Sequence, residues 1–62
     1  MFRNLSAEQK RFGLTNQDVA DILRISRVTY ERKKSKGSFT VEQANVLCKL
    51  FKCTYEYLFE TN

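Results

Sequence analysis

Apolar positions recur along the chain at three- and four-residue spacing, and glycine or hydroxyl residues interrupt them at short intervals, which predicts a succession of short helices. A first helix from about Phe2 to Arg11 or Phe12 places Leu5, Glu8 and Phe12 on one face, and Gly13 follows as a left-handed C-terminal cap. Thr15 then caps a second helix, with Asp18 adding negative charge to its first turn and Val19, Ala20 and Leu23 forming its apolar face beside Ile22. The pattern breaks over Arg24, Ile25 and Ser26, and Ser26 opens a third helix that runs to about Lys33 or Lys34. A loop is expected from Ser35 to Ser38. Phe39 and Thr40 introduce a fourth helix through a capping box (Thr40 with Gln43) and an apolar staple (Phe39 with Ala44). That helix carries Val41, Ala44, Leu47, Cys48 and Phe51 as a core stripe, with Val46 and Leu50 as a weaker second one. Thr54 caps a last short helix from Tyr55 to about Glu60.

The 62 residues include two glycines, no proline and 42% hydrophobic positions, so they are expected to form one all-α domain spanning 1–62. A chain this short buries only about 60% of the surface it exposes when unfolded, which makes support from a partner subunit plausible. No apolar run approaches the roughly 20 residues of a membrane span. The start, Met1 to Leu5, has no apolar leader segment, so a cytoplasmic location is expected. Histidine is absent and the two cysteines, Cys48 and Cys53, are too few for a structural zinc site, so neither a metal nor imidazole catalysis is expected. Cys48 falls on an apolar stripe, where a free thiol acts as a small hydrophobe. No nucleophile–base pair suggests an enzyme, and no cofactor or small-molecule ligand is implied.

Charge alters this picture because it is local. The net charge is +4, but residues 1–15 carry +2, residues 16–39 carry +3 and residues 40–62 carry −1. Between Arg27 and Lys36, five cations (Arg27, Arg32, Lys33, Lys34 and Lys36) face only Glu31. Two readings of that cluster are open: a footprint for nucleic-acid phosphates, or a solvated helix end whose cations favour the C-terminal dipole.

The segment Thr15 to Lys34 combines two short helices, a three-residue turn and a basic second helix, the pattern of a helix-turn-helix. Val19, Ala20 and Leu23 would pack under Ile25 and Tyr30, with small Ala20 allowing the helices to cross closely. Tyr30 directed inward puts residues 27, 28, 31 and 32 outward, the geometry of a helix that enters a major groove.

The run Asn4 to Glu8, then Gly13-Leu14-Thr15, Val19-Ala20, Leu23, Ile25-Ser26-Arg27, Thr29-Tyr30, Phe39-Thr40, Glu42 and the ending Tyr57-Leu58-Phe59 together resemble the lambda-repressor-like (Cro/CI, or XRE) helix-turn-helix family. The resemblance covers nearly the whole chain and is nearest to short phage and prophage regulators. It implies a five-helix domain that binds double-stranded DNA. Arg27, Val28 and Arg32 fall where this family usually reads bases, with Glu31 on the same face. The chemistry agrees, because arginine donates twice to guanine, Val28 offers apolar contact to a thymine methyl and glutamate accepts from cytosine N4. Asn16 stands where the family has a phosphate-gripping glutamine, with a shorter reach, while Ser26, Thr29, Lys33, Lys34 and Lys36 match backbone phosphates. The family's glycine in the motif turn is replaced by Arg24, and the loop after Lys34 departs from the common form.

Several of these residues have a second reading. Glu31 also suits a pair with Arg27 or Lys34 along the helix. Tyr55, Tyr57 and Phe59 suit either the lid of the core or a weak homodimer contact that forms only on DNA. The implied function is an operator-binding transcriptional regulator, a repressor or Cro-like protein acting on an inverted repeat. A protein-interaction module on the same fold, such as an antitoxin or phage accessory protein, is the alternative.

Overall fold

A computed structural model describes residues 2–61 of the chain, with Met1 and Asn62 outside the described part. The described residues form five helices and no strand: α1 (Arg3–Arg11), α2 (Asn16–Leu23), α3 (Arg27–Lys36), α4 (Val41–Phe51) and α5 (Tyr55–Leu58).

Local chemistry accounts for most of the boundaries. Thr15 and Asp18 make a reciprocal capping box at α2, and Thr40 and Gln43 make another at α4. The Ser26 hydroxyl accepts from the Thr29 N–H to start α3, and Thr54 does the same for Tyr57 at α5. The stops are as well defined. Gly13, at φ +70°, lets the Gly13 and Leu14 N–H groups bond back to the Lys10 and Gln9 carbonyls, closing α1. Arg24 closes α2 in the same way, donating to Asp21 while Ile25 donates to Ala20, and it sits at φ 60° and ψ 42°. Lys52 is the second non-glycine in this region, at φ 54°, where Cys53 donates back to Cys48 and ends α4.

Two helix ends differ from the sequence expectation. The segment Ser35–Ser38 is not all loop, since α3 keeps Ser35 and Lys36 and stops only at Gly37. A left-handed glycine there lets its N–H reach the Lys33 carbonyl, so the ladder persists until that residue. The last helix stops at Leu58 instead of reaching Glu60. Phe59 leaves helical geometry, and its ring packs 5.1 Å edge-on to Phe2 and 5.8 Å from Phe39.

Leu5, Val19, Ala20, Tyr30, Leu47, Phe51 and Leu58 are fully enclosed, with Phe2 beside them, so every helix contributes to one core. Each such leucine contributes roughly 1.5–3 kcal/mol of burial. One expected core member stands elsewhere. Val41 is 79% exposed, since as the first residue of α4 it precedes the turn that meets the core. Phe12 lies past the end of α1 at the rim, 38% exposed, with its ring edge-on to Phe51. Cys48 and Cys53 are free thiols, half-buried at the core's edge. No helix among the described residues is long and apolar enough to cross a membrane.

Candidate nucleic-acid interface

The turn Arg24-Ile25-Ser26 sets α3 against α2 in the most extensive helix contact of the fold, with Ala20 enclosed on α2 and Tyr30 enclosed on α3. Burying Tyr30 fixes the rotation of α3. With 3.6 residues per turn, positions 28 and 32 then lie on the side away from Tyr30 and position 31 on the flank, while Arg27 is the first residue of the helix. Arg27, Val28 and Arg32 are exposed and Glu31 is half-exposed. Val28 stands 56% exposed beside two arginines, an apolar spot within a cationic surface.

The expected phosphate partners fall into two groups. Lys36 is exposed at the C-terminal end of α3, while Lys33 is half-exposed and donates to the Ser38 carbonyl at 3.1 Å. Ser26 and Thr29 sit together at the N-terminus of α3. The Ser26 hydroxyl donates to Thr29 Oγ1 at 2.7 Å while accepting from the Thr29 N–H, so the cap itself occupies them. Asn16 and Lys34 belong to a different environment. With Ser6, Glu31 and Ser35 they line a cleft of about 280 Å³ beside α3.

Beside that cleft, side chains of α1, α2 and α3 form a continuous chain of hydrogen bonds. The buried Tyr30 hydroxyl donates to Gln9 Oε1 at 2.7 Å, and Gln9 Nε2 donates to Asn16 Oδ1 at 2.9 Å. Asn16 Nδ2 then donates to Glu31 Oε2 at 3.0 Å, the same oxygen that accepts from Arg27 Nη1 at 2.8 Å. Lys34 Nζ donates to both amide oxygens, to Gln9 at 3.3 Å and to Asn16 at 3.2 Å, and lies 5.5 Å from the Tyr30 ring centroid. Burial lowers the Lys34 pKa, and the nearby Glu31 charge opposes that shift. The Asn16 amide and then the Arg27 guanidinium hold the Glu31 carboxyl below its ordinary value. Burial pushes the Tyr30 phenol upward, which keeps it a hydrogen-bond donor.

Gln9 was missed by sequence reasoning although its position was readable: four residues after Leu5, it shares the inward face of α1. A second such cluster ties α5 to α1. Buried Glu8 accepts from Arg11 at 2.7 Å and from the Tyr57 hydroxyl at 3.1 Å, and Asn4 Nδ2 donates to the Tyr57 carbonyl at 2.7 Å.

The aromatic residues of the C-terminal segment separate accordingly. Phe59 is half-buried and packs on Phe2, Phe39 and Tyr55. Tyr57 is 41% exposed with its hydroxyl held by Glu8, and Tyr55 is 59% exposed. Only the two tyrosines offer substantial outward surface.

Comparison with models of known families, with curated proteins and with solved structures gives no match. The functional reading therefore rests on the residues and their arrangement. Among the described residues no group of cysteine and acidic side chains is arranged to hold a metal ion.

Proposed function

We propose that this chain is a sequence-specific double-stranded DNA-binding regulator with a lambda-repressor-like fold, of the short phage or prophage Cro or repressor type, acting in the cytoplasm. The observation that carries this reading is the outer surface of α3, where Arg27, Val28 and Arg32 stand exposed directly after the turn from α2. That face has the donors and the apolar contact that a major groove can match. Arg27, Val28, Glu31 and Arg32 read base edges. Lys33, Lys36 and the Thr29 hydroxyl meet phosphates around them, Ser26 being taken up by the helix cap, and the N–H groups that Asn16 and Lys34 keep free reach the backbone beside α3.

One α3 covers about four base pairs, too few contacts for an operator affinity of about 10⁻⁸ M or tighter. Two copies on an inverted repeat, with half-site centres about 10 base pairs apart, supply the remainder. Tyr55 and Tyr57 furnish the apolar surface for that pairing, in a third of the chain whose net charge of −1 suits it to face its twin more than phosphate. Occupying the operator would exclude polymerase.

Selection from randomised duplexes followed by a salt titration tests the proposal. The expected result is an inverted-repeat preference and a steep loss of affinity with salt, and Arg27→Ala or Arg32→Ala should cost about 1–3 kcal/mol and relax one base position. Retention of an affinity near that of random DNA by every selected duplex would overturn it and favour a protein-interaction module.

A further inference from the structure

The hydrogen-bond chain from Tyr30 to Arg27 has a direction, because each member fixes the next. The Tyr30 hydroxyl has no exposure to solvent and donates to Gln9 Oε1, which turns the Gln9 amide so that Nε2 faces Asn16. Asn16 Oδ1 accepts from both Gln9 and Lys34, which leaves its Nδ2 to donate to Glu31. Reversing either amide would set donor against donor or acceptor against acceptor. The arrangement therefore runs from the core through α1 and α2 to one oxygen of Glu31, and that oxygen grips Arg27 Nη1 at 2.8 Å.

We infer that Asn16 and Glu31 are positioning residues for base reading: through Glu31 Oε2 they brace Arg27 on the outer face of α3, and Glu31 presents its other oxygen as the acceptor for an adjacent base. The inference rests on the DNA-binding reading above and deepens it. An unbraced arginine side chain loses rotamer freedom when it is immobilised against a base, and a pre-formed brace removes part of that loss. With Nη1 already engaged, Arg27 keeps Nε and Nη2 as a fork for guanine O6 and N7. Glu31 Oε2 receives both Asn16 and Arg27, so Oε1 remains to accept from cytosine N4. The pair then reads two neighbouring positions as one unit. Glu31 also repels phosphate, so it lowers affinity for every duplex while raising the difference between them.

The test compares wild type, Glu31→Ala, Glu31→Gln, Asn16→Ala and the Asn16→Ala/Glu31→Ala double variant on the selected operator and on a random duplex of equal length. Glu31→Ala should bind the random duplex more tightly than wild type yet lose at least about fivefold in the operator-to-random ratio. Glu31→Gln puts an amide N–H₂ in place of the free oxygen, so renewed selection should replace cytosine at that one position with a base that presents an acceptor. Asn16→Ala should lower the ratio in the same sense, and the double variant should be no worse than Glu31→Ala alone, since both act on one element. In the free protein, rotation about the Arg27 Nε–Cζ bond, measured by arginine side-chain NMR, should be slow in wild type and fast in Glu31→Ala. Equal changes on both duplexes, or unchanged Arg27 rotation, would overturn the brace while leaving the DNA-binding reading intact. A wild type that prefers no duplex overturns both.

Discussion

Arg24 occupies the left-handed region at φ 60° and ψ 42°, where a Cβ crowds the carbonyl oxygen and costs about 1–2 kcal/mol relative to glycine. The conformation is required by the turn: only with Arg24 there do its own N–H and that of Ile25 reach the Asp21 and Ala20 carbonyls and deliver the chain to Ser26. The Arg24 side chain is exposed and makes no hydrogen bond or ion pair among the described residues, so little is lost by removing it. Arg24→Gly relieves the Cβ crowding but adds unfolded-state freedom of about 0.4–1 kcal/mol, leaving a net stabilisation of up to about 1 kcal/mol. In a domain of this length that raises the melting temperature by up to about 4–8 °C. Arg24→Ala keeps the Cβ and should stay within about 0.5 kcal/mol of wild type, which separates backbone strain from side-chain chemistry. Lys52→Gly, at φ 54° and remote from α3 in sequence, should behave like Arg24→Gly, and the two gains should add. The measurement is thermal and urea unfolding of wild type, the three single variants and the Arg24→Gly/Lys52→Gly double variant by circular dichroism. A melting temperature that falls in Arg24→Gly while Arg24→Ala is neutral would refute the left-handed turn.

The two left-handed glycines should differ from each other. A Cβ on Gly13 meets nothing within 4 Å, whereas one on Gly37 comes 3.2 Å from Phe2 Cζ, so Gly37→Ala should lose more stability than Gly13→Ala, itself costing about 1 kcal/mol. Equal urea midpoints for the two variants would contradict the contact with Phe2. Tyr30→Phe leaves Gln9 Oε1 with only the 3.3 Å bond from Lys34 and should cost about 1 kcal/mol in urea unfolding; an unchanged midpoint would mean the phenol is hydrated in solution. The Glu8 carboxyl is held below its ordinary 4.5, first by its bond from Arg11 and also by that from Tyr57, against the opposing effect of burial. Its contribution to stability is therefore complete above that ordinary value and is lost as pH falls through the lower folded one. Glu8→Gln should flatten the acid limb of a melting-temperature profile, and a profile parallel to wild type would assign acid sensitivity elsewhere.

The helical character of the chain and most of its boundaries were determined by sequence alone, because they are local. Thr15 with Asp18, Thr40 with Gln43, and Ser26 and Thr54 satisfy the first N–H groups of their own helices within three residues, and Gly13 ends α1 without help from elsewhere. The outward face of α3 was legible for a related reason: once Tyr30 is an inward position, helical geometry commits 28 and 32 to the other side and 31 to its flank, while Arg27 is freed by its place in the first turn. The tertiary structure decided what those residues do to one another. Asn16 and Glu31 are 15 residues apart, Gln9 and Tyr30 are 21 apart, and Glu8 and Tyr57 are 49 apart. No periodicity encodes such meetings, since they depend on how α1, α2, α3 and α5 are placed around the core. The same placement engaged Lys34 with two amide oxygens, folded Phe59 back onto Phe2 before a longer last helix could form, and left Val41 in solvent. The physical division is one of range: caps and facial periodicity act within a few residues of one helix, whereas side-chain bonds between helices exist only after packing has set their distances and excluded the water that would otherwise compete for them.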